Sequence, residues 1–89
     1  MIHELKCWPE PFTAMRIGIK TFEYRRDDRK PRYAVGDILK LREWAPWDGK
    51  YTGRIIWVRV GYIVRLAFGV PKGYCAMSIK KIRKPRAKP

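Results

Sequence analysis

Eighty-nine residues make one domain with a modest core, so a deep interior cavity is excluded and a shallow pocket or groove is what remains. The hydrophobic fraction of 46% is that of a folded protein, and no apolar run approaches the roughly 20 residues that span a membrane. Lys and Arg number 21 against 8 Asp and Glu, a net +13, which favours polyanionic partners, chiefly nucleic acid.

Ile2 to Lys6 reads as a first strand, and Trp8 to Ile17 as a helix of two to three turns. Pro9 suits the first helical position and Gly18 a helix stop. Phe12, Met15 and Ile19 recur at three- and four-residue spacing, which predicts a core-facing stripe. Residues 20–25 form the second strand. Its alternation places Phe22 and Tyr24 on one face, for burial, and Thr21, Glu23 and Arg25 on the other. Residues 26–32 are a charged loop stopped by Pro31, readable as an ion-paired surface or as a phosphate grip.

Val35-Gly36-Asp37 is a turn, and Ile38 to Trp44 is a strand with Leu39 and Leu41 inward. Ala45 to Lys50 closes a hairpin on the turn signal Asp48-Gly49. Arg54 to Leu66 is the longest strand pattern. Ile56, Val58, Val60, Tyr62, Val64 and Leu66 share one face, and Gly61 marks a bulge or bend. Residues 68–73 are a loop. Tyr74 to Ile82 is the last strand, with Cys75, Met77 and Ile79 together. Residues 1–82 are the expected domain. Residues 83–89 are a basic, Pro-punctuated tail expected to be disordered when free. The final ten residues carry six bases and no acid, which leaves 15 bases against 8 acids on residues 1–79.

The element order is β-α-β-β-β-β. Five twisted strands and one helix predict an α+β, mainly β domain, either a plain sheet or a small barrel capped by the helix. Cys7 and Cys75 have no C-x-x-C partner and His3 is the one histidine, so no metal site and no cofactor are expected. Both thiols read as buried hydrophobes, able to meet if their strands are neighbours. The N-terminus has no secretory pattern. A cytoplasmic monomer is expected, with no membrane partner.

Gly18-x-Lys20-Thr21-x-Glu23 resembles the G-x-K-x-x-[T/E] signature of the ASCH group in the PUA-like superfamily. The opening His3-Glu4-Leu5-Lys6-Cys7-Trp8-Pro9, the later Val35-Gly36-Asp37 and Leu41-Arg42-Glu43-Trp44 are similar to a small ASCH-like subfamily of bacteria and phages. The resemblance spans Ile2 to Ile82 and implies a compact β-barrel. Related ASCH proteins hydrolyse N4-acetylcytidine with the motif Lys, the residue three later and a Glu from a later strand. Here Lys20 matches, but Glu23 stands where those enzymes have Thr. The later-strand Glu is replaced by Arg59 or its apolar neighbours. The hydrolase set is complete only if Glu23 itself substitutes for that carboxylate.

Two constellations follow. Lys20, Thr21, Glu23 and Arg25 are the candidate ligand pocket, with Lys20 and Glu23 catalytic only if the protein is an enzyme. The plain alternative is a structural Lys20–Glu23 ion pair with Thr21 tying off backbone; as pocket residues, the partly exposed pair would add within about 1 kcal/mol of stability. The second constellation is basic and aromatic: Arg26, Lys40, Arg42, Arg54, Arg59, Arg65 and Trp47, with Lys80, Lys81, Arg83, Lys84, Arg86 and Lys88 after them. Trp44, Tyr51 and Trp57 are interleaved with these bases and serve as stacking platforms or as core. The expected function is an RNA-binding module with a nucleotide or modified-base pocket. The alternatives are a modified-nucleoside amidohydrolase and an adaptor for an acidic protein.

Overall fold

The computed structural model describes residues 1–86. It contains β1 (Ile2–Cys7), α1 (Pro9–Arg16), β2 (Phe22–Arg26), β3 (Ile38–Ala45), β4 (Lys50–Val64) and β5 (Tyr74–Lys81), the element order expected. The strands form one sheet in the order β1-β3-β4-β5-β2. β1 runs parallel to β3, with Leu5 beside Leu41, and the other pairings are antiparallel. β1 and β2 are therefore the two edges.

The sheet curls into a half-barrel rather than a closed barrel. Side chains, not a backbone ladder, bridge its edges. Arg25 Nη2 donates to the Lys6 carbonyl at 3.1 Å, and Arg29 Nη2 donates to the Glu4 carbonyl at 2.9 Å. Unpaired strand edges invite pairing with other chains, and two guanidinium groups occupy this one. No helix among the described residues is long and apolar enough to cross a membrane.

The core is built from alternate residues of the curled sheet. Leu5 and Cys7 meet Leu39, Leu41, Val58, Val60, Cys75 and Met77, and α1 adds Phe12 and Met15. Burying each large side chain contributes about 1.5–3 kcal/mol. The inward alternation of β3 and β5 is as read from the sequence. Pro9 opens α1, and Gly18, at φ +91°, ends it in the left-handed region that glycine enters freely. Lys81 Nζ donates to the Arg16 carbonyl at 2.8 Å, placing a cation at the helix C-terminus.

Three expected faces are corrected. Ile19 is 77% exposed, because the chain has turned at Gly18 and helical spacing no longer applies. In β2 the faces are reversed: Glu23 is buried, while Phe22 and Tyr24 are 53% and 48% exposed. The inward face of this edge strand looks onto charged partners rather than apolar ones. In β4, Gly61 and Tyr62 together oppose Ser78, a bulge that shifts the alternation by one residue. Tyr62 is consequently exposed and Ile63 packs on the core, while Leu66 is exposed because β4 ends at Val64 and Leu66 turns to φ +50°. A Cβ on Gly61 would lie 2.8 Å from Ser78 Oγ, which accepts the Tyr62 N–H at 2.9 Å, so a side chain there would push the Ser78 hydroxyl off that bond.

Cys7 and Cys75 lie on non-adjacent strands and are buried free thiols. Two polar knots hold the connection from β2 to β3. Asp27 accepts from Arg65 Nε at 2.7 Å and Arg32 Nη2 at 2.6 Å, and Arg65 Nη2 also reaches the Tyr33 carbonyl at 2.7 Å. The Arg65 bond, against the opposing effect of burial and with help from Arg32, holds the Asp27 carboxyl below its usual range. His3 Nε2 lies 2.8 Å from Asp37 Oδ2, which also accepts the Ala34 N–H at 2.9 Å. Burial pushes the Asp37 carboxyl up, but the His3 and Ala34 bonds and the N-terminal ammonium outweigh it and leave it lowered.

Candidate functional site

A cleft of about 310 Å³ opens between the two sheet edges, at the lower end of ligand-pocket sizes. Lys6, Cys7, Trp8 and Pro11 line it from the β1 and α1 side. Lys20 and the β2 residues Phe22, Glu23, Tyr24 and Arg25 line it from the other.

Its polar centre follows from strand geometry and one bend. Glu23 and Arg25 are two apart in β2 and share its inward face. In a regular strand Lys20 would point away from Glu23. Here residue 20 still belongs to the bend after Gly18, since its N–H bonds back to the Ala14 carbonyl at 3.1 Å. Lys20 Nζ thus donates to Glu23 Oε1 and Arg25 Nε to Glu23 Oε2, both at 2.7 Å. Glu23 is 3% exposed, whereas the Lys20 and Arg25 side chains are 18% and 24% exposed. A buried carboxylate holds two cations at the cleft, and the group carries one net positive charge. Each cation has N–H donors beyond those spent on Glu23. Three half-exposed aromatic rings, Trp8, Phe22 and Tyr24, surround them. Tyr24 is steadied by Tyr74, stacked at 5.5 Å.

Cys7 lines the same cleft as a buried free thiol. Burial first, then the Glu23 carboxylate, push its thiol up to about 11, so the thiolate is scarce near neutrality. Next to Cys7 in the parallel register is Glu43, buried and bonded to Thr52 Oγ1 at 2.8 Å, with Arg54 Nη1 at 3.6 Å. A β4 bulge makes this possible: one residue, Glu43, faces the three residues Thr52-Gly53-Arg54. Glu43 is absent from the cleft lining. Sequence reasoning missed Cys7, Lys6, Trp8 and the Glu43–Thr52 pair. The strand pattern read from the sequence starts at Arg54, whereas β4 begins at Lys50 and takes in Gly53, where glycine marks the bulge.

Of the four pocket residues expected, Lys20, Glu23 and Arg25 converge. Thr21 faces a second cavity of about 220 Å³ that includes Gly18, Val58 and Lys80, and its carbonyl accepts the Ile79 N–H at 3.0 Å. The expected basic residues separate into groups. Lys40, Arg42, Arg59 and Lys80 hold outward positions on the sheet, as does Arg26, 5.9 Å from the Tyr74 ring. Arg54 attends Glu43, Arg65 is committed to Asp27, and Lys81 to the end of α1. Trp47 is exposed in the β3–β4 turn. Arg83, Lys84 and Arg86 follow β5 outside regular structure, and Lys88 lies outside the described residues. Among the described residues no group of His, Cys, Asp and Glu could hold a metal ion.

No curated protein matches the chain. A family model described as a domain of unknown function, DUF3850, matches residues 2–79, from the start of β1 into β5, and the chain belongs to that family.

Proposed function

We propose that this protein is a nucleic-acid-binding module, acting on RNA, whose edge cleft receives a nucleotide or an unpaired or modified base. The observation that carries the reading is the Lys20–Glu23–Arg25 group at the centre of a cleft bordered by Trp8, Phe22 and Tyr24. Ammonium and guanidinium donors suit the carbonyl and ring-nitrogen acceptors of a base, and aromatic faces suit its plane. The +13 charge supplies the sequence-independent attraction to phosphate. RNA is favoured because its loops and ends present bases free to enter a pocket. The G-x-K-x-x-E motif supports a PUA-like ancestry for the half-barrel and agrees with this reading.

Hydrolysis of a modified nucleoside is the weaker reading. It needs a carboxylate or a tuned base free to activate water. Glu23 is engaged by two cations, and Glu43 by Thr52 and Arg54 outside the cleft lining.

The test is fluorescence anisotropy of a labelled single-stranded RNA over a salt series, with wild type and Lys20→Ala. Log K is expected to fall with log salt at about −0.7 per phosphate contact, and Lys20→Ala to weaken binding about tenfold. Affinity indifferent to salt and to Lys20 would overturn the proposal. Acetate release from N4-acetylcytidine would replace it with the hydrolase reading, and nuclease-resistant retention of an acidic protein with the adaptor reading.

A further inference from the structure

We infer that the outer face of β1, β3 and β4 is a track for single-stranded nucleic acid that leads into the cleft, so that the cleft's ligand is a nucleotide within a strand and not a free nucleoside. The inference rests on the nucleic-acid reading of the cleft and adds the surface and the polymer.

The outward positions of these three strands carry Lys6, Lys40, Arg42 and Arg59 against a single acid, Glu4. Glu4 bonds Arg42 at 2.6 Å and lies 4.0 Å from Lys40. A surface built for solubility mixes both signs and shows few large rings. This one instead interleaves its cations with rings. Lys6 Nζ lies 3.9 Å from the Trp44 ring centre, Arg42 lies 3.7 Å from Tyr51, and Lys40 5.5 Å from Trp57. Trp44 also meets Tyr51 edge-on at 5.0 Å.

Strand register creates the pattern. Lys6 sits beside Arg42, Trp44 beside Tyr51 and Lys40 beside Trp57, so cations and rings are gathered on one face of the three strands. The charge complement of such a face is a polyanion. The rings specify which one, because in a duplex the bases stack on each other and cannot reach them, whereas an unpaired strand offers a base to each ring and a phosphate to each cation.

Continuity with the cleft comes through Lys6. Its side chain belongs to the outer face, over Trp44, and also lines the cleft. Since β1 is an edge of the sheet, nucleotides crossing β4 and β3 arrive at the gap beside Lys20 and Arg25. A free nucleoside has no phosphate to use this path.

The experiment titrates full-length protein with cytidine monophosphate, oligouridylate, oligothymidylate and duplex RNA. It uses wild type, Lys20→Ala and the double variant Lys40→Glu/Arg59→Glu, each checked for folding by circular dichroism. Wild type is expected to bind oligouridylate at least tenfold more tightly than cytidine monophosphate. The double variant should lose at least tenfold for oligouridylate, with a salt slope shallower by about 0.7 per lost contact, and keep its mononucleotide affinity. Oligouridylate against oligothymidylate separates RNA from DNA as the source of the strand, either of which supports the track. An unchanged double variant overturns the track while the Lys20 effect leaves the cleft standing. Mononucleotide binding indifferent to Lys20, with oligomer binding still sensitive to Lys40 and Arg59, overturns the cleft reading and its junction with the track. Should the double variant unfold, amide shift mapping of oligouridylate on wild type decides. Shifts across β3 and β4 support the track, and shifts elsewhere, or duplex bound as well as single strand, overturn it.

Discussion

Replacing Glu23 by Gln keeps the side chain's shape and removes the charge that holds the cleft's two cations. The carboxylate makes two charge-assisted bonds of 2.7 Å from a position that is 3% exposed. A glutamine can still accept at its oxygen, but its amide presents N–H groups to the other cation. A hydrogen bond to a charged group contributes about 1.5–3 kcal/mol net, and removing one partner of a fully buried pair costs about 3–5 kcal/mol. Lys20 and Arg25 keep 18% and 24% of their side-chain surface in water, so solvent takes up part of that loss. The expected cost is about 2 kcal/mol, above the roughly 1 kcal/mol that an exposed pair would allow. For a domain of this size that lowers Tm by about 8–16 °C. Lys20→Ala should cost less, about 1 kcal/mol, because Arg25 still neutralises Glu23. Thermal melts of wild type and both variants, followed by circular dichroism, measure the order. A Glu23→Gln protein melting within about 2 °C of wild type would refute the reasoning.

Acid should destabilise the fold: Asp27 and Asp37 both have lowered folded values, so their contribution is present above the unfolded value near 4 and is lost as pH falls through the lower, folded one. Denaturant melts across pH should therefore show stability declining below about pH 4, and a rise on acidification would contradict this. Gly61→Ala should cost about 1–3 kcal/mol through its clash with Ser78 Oγ, and Ser78→Ala should recover part of it; additive costs in the double-mutant cycle would deny the clash. Cys7, its thiol raised to about 11, should react with iodoacetamide far more slowly in the native protein than in denaturant, and rapid native modification would show the burial to be wrong.

The parts of the fold set by local pattern were legible. Leu39 and Leu41 alternate in β3, Asp48-Gly49 marks its hairpin, and Gly61 marks the bulge. The bulge's consequence was not legible, because the one-residue shift that exposes Tyr62 depends on the partner residue Ser78. β2 misled for a physical reason. Phe22 and Tyr24 carry the apolar alternation, yet Lys20 and Arg25 bond both oxygens of Glu23 and so allow that carboxylate to be the residue turned inward. Lys20, Glu23 and Arg25 were found because they are close in sequence. Lys6, Cys7 and Trp8 were missed because only the curl of the sheet brings β1 to β2. The Glu43–Thr52 pair likewise depends on where β4 bulges.

The central claim, that the gap between the sheet edges binds the base of a nucleotide, is tested most directly by titrating isotope-labelled protein with cytidine monophosphate and following backbone amide shifts. The account predicts saturable shifts confined to residues 6–8 and 20–25, abolished by Lys20→Ala. Shifts that leave those two segments untouched, or persist unchanged in Lys20→Ala, would contradict it.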